Sequence, residues 1–271
     1  EHYNKWNLKS EAYMPTIHKA GEKLFIDYAG KKLHIVDKET GEIKPVEVFV
    51  ATLGASQYTY VEASFSQQIP DFIGSVQNCL HYLGGVPACI IPDNLKSAVT
   101  KSNKYEPLVN EQFTCFASHY DTSIMPARAL KPKDKSLVEG AVNITYTRIH
   151  ATLRDREFYS IIELNLAIKE LLLIYNQTPF QKKHSSRTVL FLEIEKDALK
   201  PLPLEKYELR DYKIATVQKN CHAYYSADKN YYSVPHAYIG KKVKLVLTQS
   251  VVEIYHSQTR IALHPRSRKA Y

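Results

Sequence analysis

Leu24-Phe25-Ile26-Asp27-Tyr28-Ala29-Gly30 is the most informative stretch of this chain, because one carboxylate interrupts an otherwise apolar, strand-like run. An ionised carboxylate in apolar surroundings is costly unless another group compensates its charge. Two further stretches share this property: Ala88-Cys89-Ile90-Ile91-Pro92-Asp93-Asn94 ends in Asp93, and Ser136-Leu137-Val138-Glu139-Gly140-Ala141-Val142 contains Glu139. A divalent metal ion is the strongest compensation available, so these three carboxylates are the candidate metal ligands.

Three strand-like runs surround the first carboxylate. Residues 24–36 are rich in β-forming types, residues 46–53 are almost wholly apolar as in a central strand, and residues 58–63 are aromatic and β-branched. The connections over residues 37–44 and 54–57 have hairpin length, which predicts antiparallel pairing.

The apolar period then changes to that of a helix over residues 69–83, which Gly84-Gly85 ends. The predicted order continues with a strand over 86–91, a helix over 110–120, a strand over 122–126, a helix over 136–154, a helix over 161–175 and a weaker helix over 188–196. A helical crossover from the third strand to a parallel fourth is expected. The fold class is therefore α/β, with an RNase H-like mixed five-stranded sheet flanked by helices.

A second domain is predicted after Pro201-Leu202-Pro203-Leu204, where the composition changes to that of a linker. Short strands are expected over residues 214–218, 223–226, 231–234, 243–247 and 251–255, with a hairpin turn over 227–230. Such spacing is typical of a small C-terminal β-barrel. The predicted domains are a lead-in linker (1–20), an RNase H-like core (21–160), a helical extension and linker (161–204) and a basic β-barrel (205–271).

The balance of basic and acidic residues changes near the same boundary. Residues 1–199 hold 23 basic and 23 acidic side chains, whereas residues 200–271 hold 13 basic and 5 acidic ones. A basic end on a neutral body indicates either a polyanionic partner or a solvated basic surface, and charge alone favours neither. Lys241, Lys242, Arg266 and Arg268 are the best electrostatic candidates for binding DNA in this part, and Tyr side chains interleave with them.

Other protein classes are excluded or disfavoured by composition. No run of about 18 apolar residues exists, so no membrane-spanning helix is expected, and no signal peptide is visible. The first residue is Glu1 rather than Met, which predicts a segment of a longer protein. The cysteines show no metal-binding or Cys-x-x-Cys spacing, which favours buried thiols in a reducing cytosol and a cytoplasmic location. Catalytic Ser-His-Asp sets, phosphate loops and dinucleotide fingerprints are not evident.

The three carboxylates are expected to converge. In the predicted sheet, the middle of the first strand lies beside the end of the fourth, so Asp27 and Asp93 point to one place. Glu139, in the first turn of the following helix, can reach the same place. Two-metal phosphodiester chemistry needs carboxylates that converge on a site about 4 Å wide, and Mg²⁺ prefers such oxygen ligands. Taken singly, Asp27 also fits a solvated strand edge, Asp93 a turn or helix cap, and Glu139 a first-turn acid favoured by the helix dipole.

Basic side chains flank two of these positions. Lys96 follows the second aspartate by three residues and is a candidate phosphate contact, although an exposed lysine is an equal alternative. A basic run precedes the glutamate and is a candidate DNA-backbone cradle, with an ordinary solvated loop as the alternative. Its members are Arg128, Lys131, Lys133 and Lys135.

The chain resembles the IstA-type transposases of bacterial insertion sequences, a branch of the DDE transposase and retroviral integrase superfamily. The resemblance runs from about residue 20 to 265. The matching stretches are Ile26-Asp27-Tyr28-Ala29-Gly30, Pro92-Asp93-Asn94-Leu95-Lys96-Ser97-Ala98-Val99, Pro132-Lys133-Asp134-Lys135 with Val138-Glu139, Phe180, Ser186-Arg187 with Leu190-Phe191, Leu202-Pro203, and Tyr232-Ser233-Val234-Pro235 with Tyr238-Ile239-Gly240-Lys241. Tyr28 departs from the tryptophan or phenylalanine common there, and the spacing from Asp93 to Glu139 exceeds the integrase pattern.

The resemblance implies that Asp27, Asp93 and Glu139 are the catalytic DDE residues and hold two Mg²⁺ ions, for which Mn²⁺ can substitute. It implies cleavage at element ends and joining of the 3′-hydroxyl to target DNA. It also implies a homo-oligomer on DNA, a partner ATPase of the IstB AAA+ type, upstream DNA-binding segments and action at the bacterial nucleoid. Relatives often carry a basic residue seven positions after the glutamate; here that position is Tyr146, and Arg148 is the expected substitute. A catalytically silent DNA-binding or assembly module and an RNase H-type nuclease are the alternatives.

Overall fold

A computed structural model describes residues 18–92, 99–101, 108–126, 136–181, 184–248 and 250–267. The chain divides into two compact units, Glu1–Leu204 and Glu205–Tyr271. The predicted core (21–160) and the predicted helical extension and linker (161–204) both lie within the first unit. Within the described ranges, every helix is too short or too polar to span a lipid bilayer.

The first unit is built on one five-stranded sheet. The strands of the sheet are β1 (Lys23–Val36), β2 (Ile43–Leu53), β3 (Thr59–Ser64), β4 (Cys89–Pro92) and β7 (Ser123–Ile124). Between β4 and β7 in the chain, β5 (Val99–Lys101) and β6 (Leu108–Val109) form a small separate hairpin. The sheet order is β3-β2-β1-β4-β7. β1 pairs antiparallel with β2 and parallel with β4, and β4 pairs parallel with β7. The predicted RNase H-like mixed sheet is confirmed.

The helices of this unit are α1 (Ile69–Leu83), α2 (Glu111–His119), α3 (Ser136–Thr145), α4 (Ile161–Gln177) and α5 (Arg187–Leu190). α3 continues through a π-helical turn at Tyr146–His150 and a last turn at Ala151–Leu153. α5 continues through a π-helical turn at Phe191–Glu195 and a 3₁₀ turn at Lys196–Ala198. Local sequence explains several helix ends, since Asn110, Ser160 and Ser186 cap α2, α4 and α5 with their side chains.

The two faces of the sheet are covered by different helices. On one face, the Tyr28 and Phe49 rings lie 6.5 and 6.4 Å from Phe72 of α1, which in turn contacts Phe113 of α2. The opposite face packs against α3 and α4. Its buried members include Ala29, Val48, Val50, Ala141, Ile149, Leu164, Ile168 and Leu172. Side chains alternate between the faces of a strand, so Asp27, between Phe25 and Ala29, belongs to the α3–α4 face.

Some predicted boundaries were wrong. The strand expected over residues 86–91 begins only at Cys89, because Val86 pairs in an isolated bridge with Lys200 and Pro87 has no N–H to donate. The strand expected over 122–126 is reduced to Ser123–Ile124. Of the four cysteines, Cys79 and Cys89 are buried, whereas Cys115 is exposed and Cys221 is half-buried. The prediction of buried thiols therefore holds for two of them.

The described residues of the second unit form six strands in two sheets. They are β8 (Asp211–Thr216), β9 (His222–Tyr225), β10 (Asn230–Ser233), β11 (Lys242–Leu247), β12 (Val251–His256) and β13 (Thr259–Pro265). Four of them form a sheet in the order β13-β12-β11-β8, and β9 pairs with β10. Val243, Leu245, Val252 and Ile254 form its core together with Tyr225 and Tyr232. The sequence did not predict β13, and closure of these strands into a barrel stays a prediction.

Gly21, two residues before β1, packs closely against Ala198 at the end of the α5 segment (residues 187–198). Its φ is +68°, and a Cβ added there would collide with the backbone of Ala198. Gly41 has nearly the same φ, +69°, but a Cβ there would meet nothing within 4 Å. We expect Gly21→Ala to lower the free energy of unfolding by about 3 kcal/mol, adding overpacking to left-handed strain, and Gly41→Ala to lower it by only about 1 kcal/mol. Urea unfolding of the two variants measures the difference, and equal losses would contradict the packing assigned to Gly21.

Candidate active site

Asp27 lies in the middle of β1, which runs between β2 and β4 in the centre of the sheet. The side chain is half-buried and stands directly opposite Val50 of β2. The Tyr28 N–H donates a 2.8 Å hydrogen bond to Asp27 Oδ1, which restricts the orientation of the carboxylate. The alternative of a solvated residue at a strand edge does not fit this central position.

β4 brings the second predicted carboxylate position next to β1. In the parallel register of the two strands, Phe25 stands opposite Ile91 and Ile26 opposite Pro92. Pro92 and Ile26 are the residues immediately before Asp93 and Asp27 in the sequence. Asp93 itself and Lys96 lie outside the described residues, so their predicted roles stay predictions.

α3 crosses this region of the sheet. Glu139 lies in its first turn, and the structure describes the backbone there but not the side chain. Val142, three positions further on, packs against the cluster of Phe25, Cys89 and Ile91. Positions three apart share one side of an α-helix, so the backbone of Glu139 lies on the side of α3 that faces β1 and β4. The described backbone thus brings the elements that carry Asp27 and Glu139 together at the end of β4.

The donor types at the three predicted positions suit a hard divalent cation. Two aspartates and a glutamate offer only oxygen ligands, which Mg²⁺ prefers. Burial raises the pKa of the Cys89 thiol, which packs in the apolar cluster with Phe25 and Ile91. The described residues contain no cluster of three His, Cys, Asp or Glu side chains able to hold a metal, and of the proposed ligands only the Asp27 side chain is among them.

The predicted DNA-binding residues fall in several places. Arg148 is exposed on the π-helical turn that follows α3. Lys241 and Lys242 are exposed in the second unit, and Lys241 Nζ lies 5.2 Å from the centroid of the Tyr238 ring. Arg266 instead forms a two-pronged ion pair with Asp228 and donates a hydrogen bond to the Thr248 carbonyl. Its guanidinium N–H groups are therefore used in contacts within the second unit. The remaining candidates lie outside the described residues: Arg128, Lys131, Lys133, Lys135 and Arg268.

Two residues of possible importance escaped the sequence analysis. Lys31 follows Asp27 on β1, and its ammonium lies over the ring of Tyr146. Glu195 is fully buried although it belongs to the segment that the sequence predicted only as a weak helix. The adjacent lysines Lys31 and Lys32 were visible in the sequence, but only tertiary contacts distinguish one from the other.

The order of the strands in the mixed sheet and the helices on its two faces define an RNase H-like core. The catalytic core of the HTLV-2 integrase in complex with magnesium matches 65% of this chain and 99% of its own length at 18% identity, with a TM-score of 0.45. The model of the Mu transposase C-terminal domain matches residues 202–271.

Sequence comparison identifies the relatives more closely. A Sinorhizobium fredii protein named as a transposase is 46% identical over 92% of this chain and 48% of its own length. A Burkholderia multivorans protein named as the transposase of insertion sequence IS408 is 38% identical over 98% of this chain and 51% of its own length. The chain is a homologue of insertion-sequence transposases, which confirms the resemblance seen in its sequence, and it spans about half the length of these relatives.

Proposed function

We propose that this chain contains the catalytic core of a DNA transposase that cleaves at insertion-sequence ends and joins the 3′-hydroxyl to target DNA. One observation carries the proposal: Asp27 occupies the central strand on the face that α3 covers, and Pro92 of β4 stands in register with Ile26. The proposal requires this register to continue by one residue, so that Asp93 comes to lie beside Asp27. Homology to named transposases supports the same activity.

The three carboxylates Asp27, Asp93 and Glu139 are the proposed holders of two Mg²⁺ ions, with Mn²⁺ as a substitute. Magnesium in such a site activates the attacking oxygen and stabilises the leaving oxygen of a phosphodiester. The apolar cluster of Phe25, Cys89, Ile91 and Val142 forms the floor of the site and fixes the strands against α3. Rigid strand positions hold Asp27 in place, and the Tyr28 N–H orients its carboxylate.

DNA is the proposed partner of both units. Arg148, Lys241 and Lys242 are exposed cations able to contact phosphates. The basic run before Glu139 is a further proposed DNA contact. By resemblance to the IstA-type transposases, we further propose a homo-oligomer on paired DNA ends, cooperation with an IstB-type AAA+ ATPase and action at the bacterial nucleoid.

Two other functions compete with this proposal. An RNase H-type nuclease would hydrolyse a strand with the same carboxylates but join nothing. A silent DNA-binding or assembly module would keep the fold without any metal-dependent step. The retention of acidic residues at all three positions favours an enzyme over the silent module.

Metal removal and product analysis separate these functions. The assay uses the full-length protein, its ATPase partner and an oligonucleotide of the flanking repeat. We expect joined products with Mg²⁺ or Mn²⁺ and none after chelation by EDTA. Cleavage without any joined product would favour the nuclease. Bound but unprocessed DNA at every metal concentration would favour the silent module, and undiminished joining in EDTA would refute a metal-dependent mechanism.

A further inference from the structure

The strand that carries Asp27 and the helix that carries Glu139 are both irregular at one place, where they touch. Between the pairs Ala29–Val48 and Leu33–Val46, β1 advances four residues while β2 advances two, so Gly30–Lys32 bulges out of the ladder. The helix widens into its π-helical turn at Tyr146–His150. Bulges and π-helical turns redirect side chains, and both occur preferentially beside functional sites.

Three side chains from these two irregular segments form one layered cluster. Lys31 Nζ lies 4.4 Å from the centroid of the Tyr146 ring. On the same helix, the rings of Tyr146 and His150 stack with centroids 4.9 Å apart and planes 5° from parallel. His150 Nε2 donates a 3.1 Å hydrogen bond to the Lys32 carbonyl, which ties the bulge to the helix. The cluster therefore holds the Lys31 ammonium at a defined place on the surface.

The two lysines of the bulge differ in their electrostatic partners. Lys32 forms a 2.5 Å ion pair with Glu47 of β2, which neutralises its charge locally. Lys31 is exposed and, among the residues that the structure describes, takes part in no ion pair. An aromatic face attracts a cation without cancelling its charge, so Lys31 keeps a full positive charge available to an anion.

We propose that Lys31 contacts a backbone phosphate of the DNA strand that enters the carboxylate site; this inference rests on the proposed function. Lys31 follows Asp27 by four residues, about 13 Å along a strand. Tyr146 follows Glu139 by seven, about 10 Å along a helix. The contacted phosphate therefore lies within a few nucleotides of the bond that is cut.

The salt dependence of DNA binding tests the contact without any chemistry. The full-length protein is titrated with a short mixed-sequence duplex in EDTA at several salt concentrations, with fluorescence anisotropy as the readout. We expect Lys31→Ala to make the slope of log K against log salt shallower by about 0.9, the contribution of one phosphate contact. Lys31→Arg, which keeps the charge, should restore the slope.

Two lysines of the same hairpin serve as matched controls. Lys32→Ala removes the neighbouring but ion-paired charge, and Lys38→Ala removes a cation that lies 5.0 Å from the Tyr159 ring. Both should keep the wild-type slope. An unchanged slope in Lys31→Ala, an equal change in either control, or wild-type binding that is independent of salt would overturn the proposal.

A duplex with single uncharged methylphosphonate linkages then locates the phosphate on a pre-cut element end. Wild-type binding should weaken most at one linkage within a few nucleotides of the cut, and Lys31→Ala should be insensitive at that linkage. Sensitivity retained in Lys31→Ala would assign that phosphate to another residue. These binding results are independent of joining, so a failure of the proposed chemistry shows only in the joining assay.

Discussion

Asp27→Asn is expected to abolish strand joining, lowering its rate by about 10³-fold or more. The substitution keeps the size of the side chain and its acceptor oxygen for the Tyr28 N–H but removes the negative charge that would hold a metal ion. Metal stabilisation of the transition state is worth several kcal/mol, and each 1.36 kcal/mol of it changes the rate about tenfold. DNA binding and folding should survive, because half-burial of a neutral amide costs less than that of a carboxylate.

A single-turnover joining assay measures this effect, and urea unfolding verifies the fold of the variant. Asp37→Asn is the matched control on the turn that follows β1. A hydrogen bond from Lys44 lowers the pKa of Asp37 to about 2, so this variant also removes one carboxylate charge, but far from the apolar cluster of the site. Joining by Asp27→Asn at the rate of Asp37→Asn would refute the assignment of Asp27 as a metal ligand.

Glu195→Ala is expected to give the largest loss of stability, about 4 kcal/mol. Glu195 is fully buried, and its two carboxylate oxygens accept hydrogen bonds from the N–H groups of Ala55 at 3.4 Å and Ser56 at 2.8 Å. Alanine would leave both donors of the β2–β3 turn without their acceptor, at about 1–3 kcal/mol for each, with the larger part from the buried Ser56 N–H and the smaller from the half-buried Ala55 N–H. The α5 segment would then lose its polar attachment to the central hairpin.

This loss of stability is measured from the urea-induced unfolding transition of the first unit. Glu193→Ala is the control, because Glu193 belongs to the same π-helical turn but is exposed, and its loss should change the free energy of unfolding by less than about 0.5 kcal/mol. Glu195→Gln retains one carbonyl acceptor and should fall between the two. Equal stability of Glu195→Ala and Glu193→Ala would show that the buried hydrogen bonds contribute nothing net.

Much of the fold followed from patterns within short segments. The apolar period of residues 69–83 predicted α1, and the hairpin-length connections predicted the antiparallel pairing of β1, β2 and β3. Predicted boundaries of elements were wrong where contacts with distant residues set them. Val86 pairs with Lys200 instead of extending β4, and the π-helical turn after α5 contains Glu195, which accepts a hydrogen bond from Ser56. β13 escaped prediction because it is held by its pairing with β12.

The candidate site, like the fold, was predictable from the sequence only in part. Asp27, Asp93 and Glu139 could be selected from the sequence, because a charged side chain in an apolar run carries an energetic cost that is evident without coordinates. The order of the strands along the chain and the basic character of the second unit were equally evident. Three features became known only from contacts between distant residues: Asp27 lies on the α3 face, Glu195 is buried, and Lys31 rather than Lys32 lies over the Tyr146 ring. Those outcomes depend on which distant segments pack together, and packing over more than a hundred residues leaves no periodic trace in the local sequence.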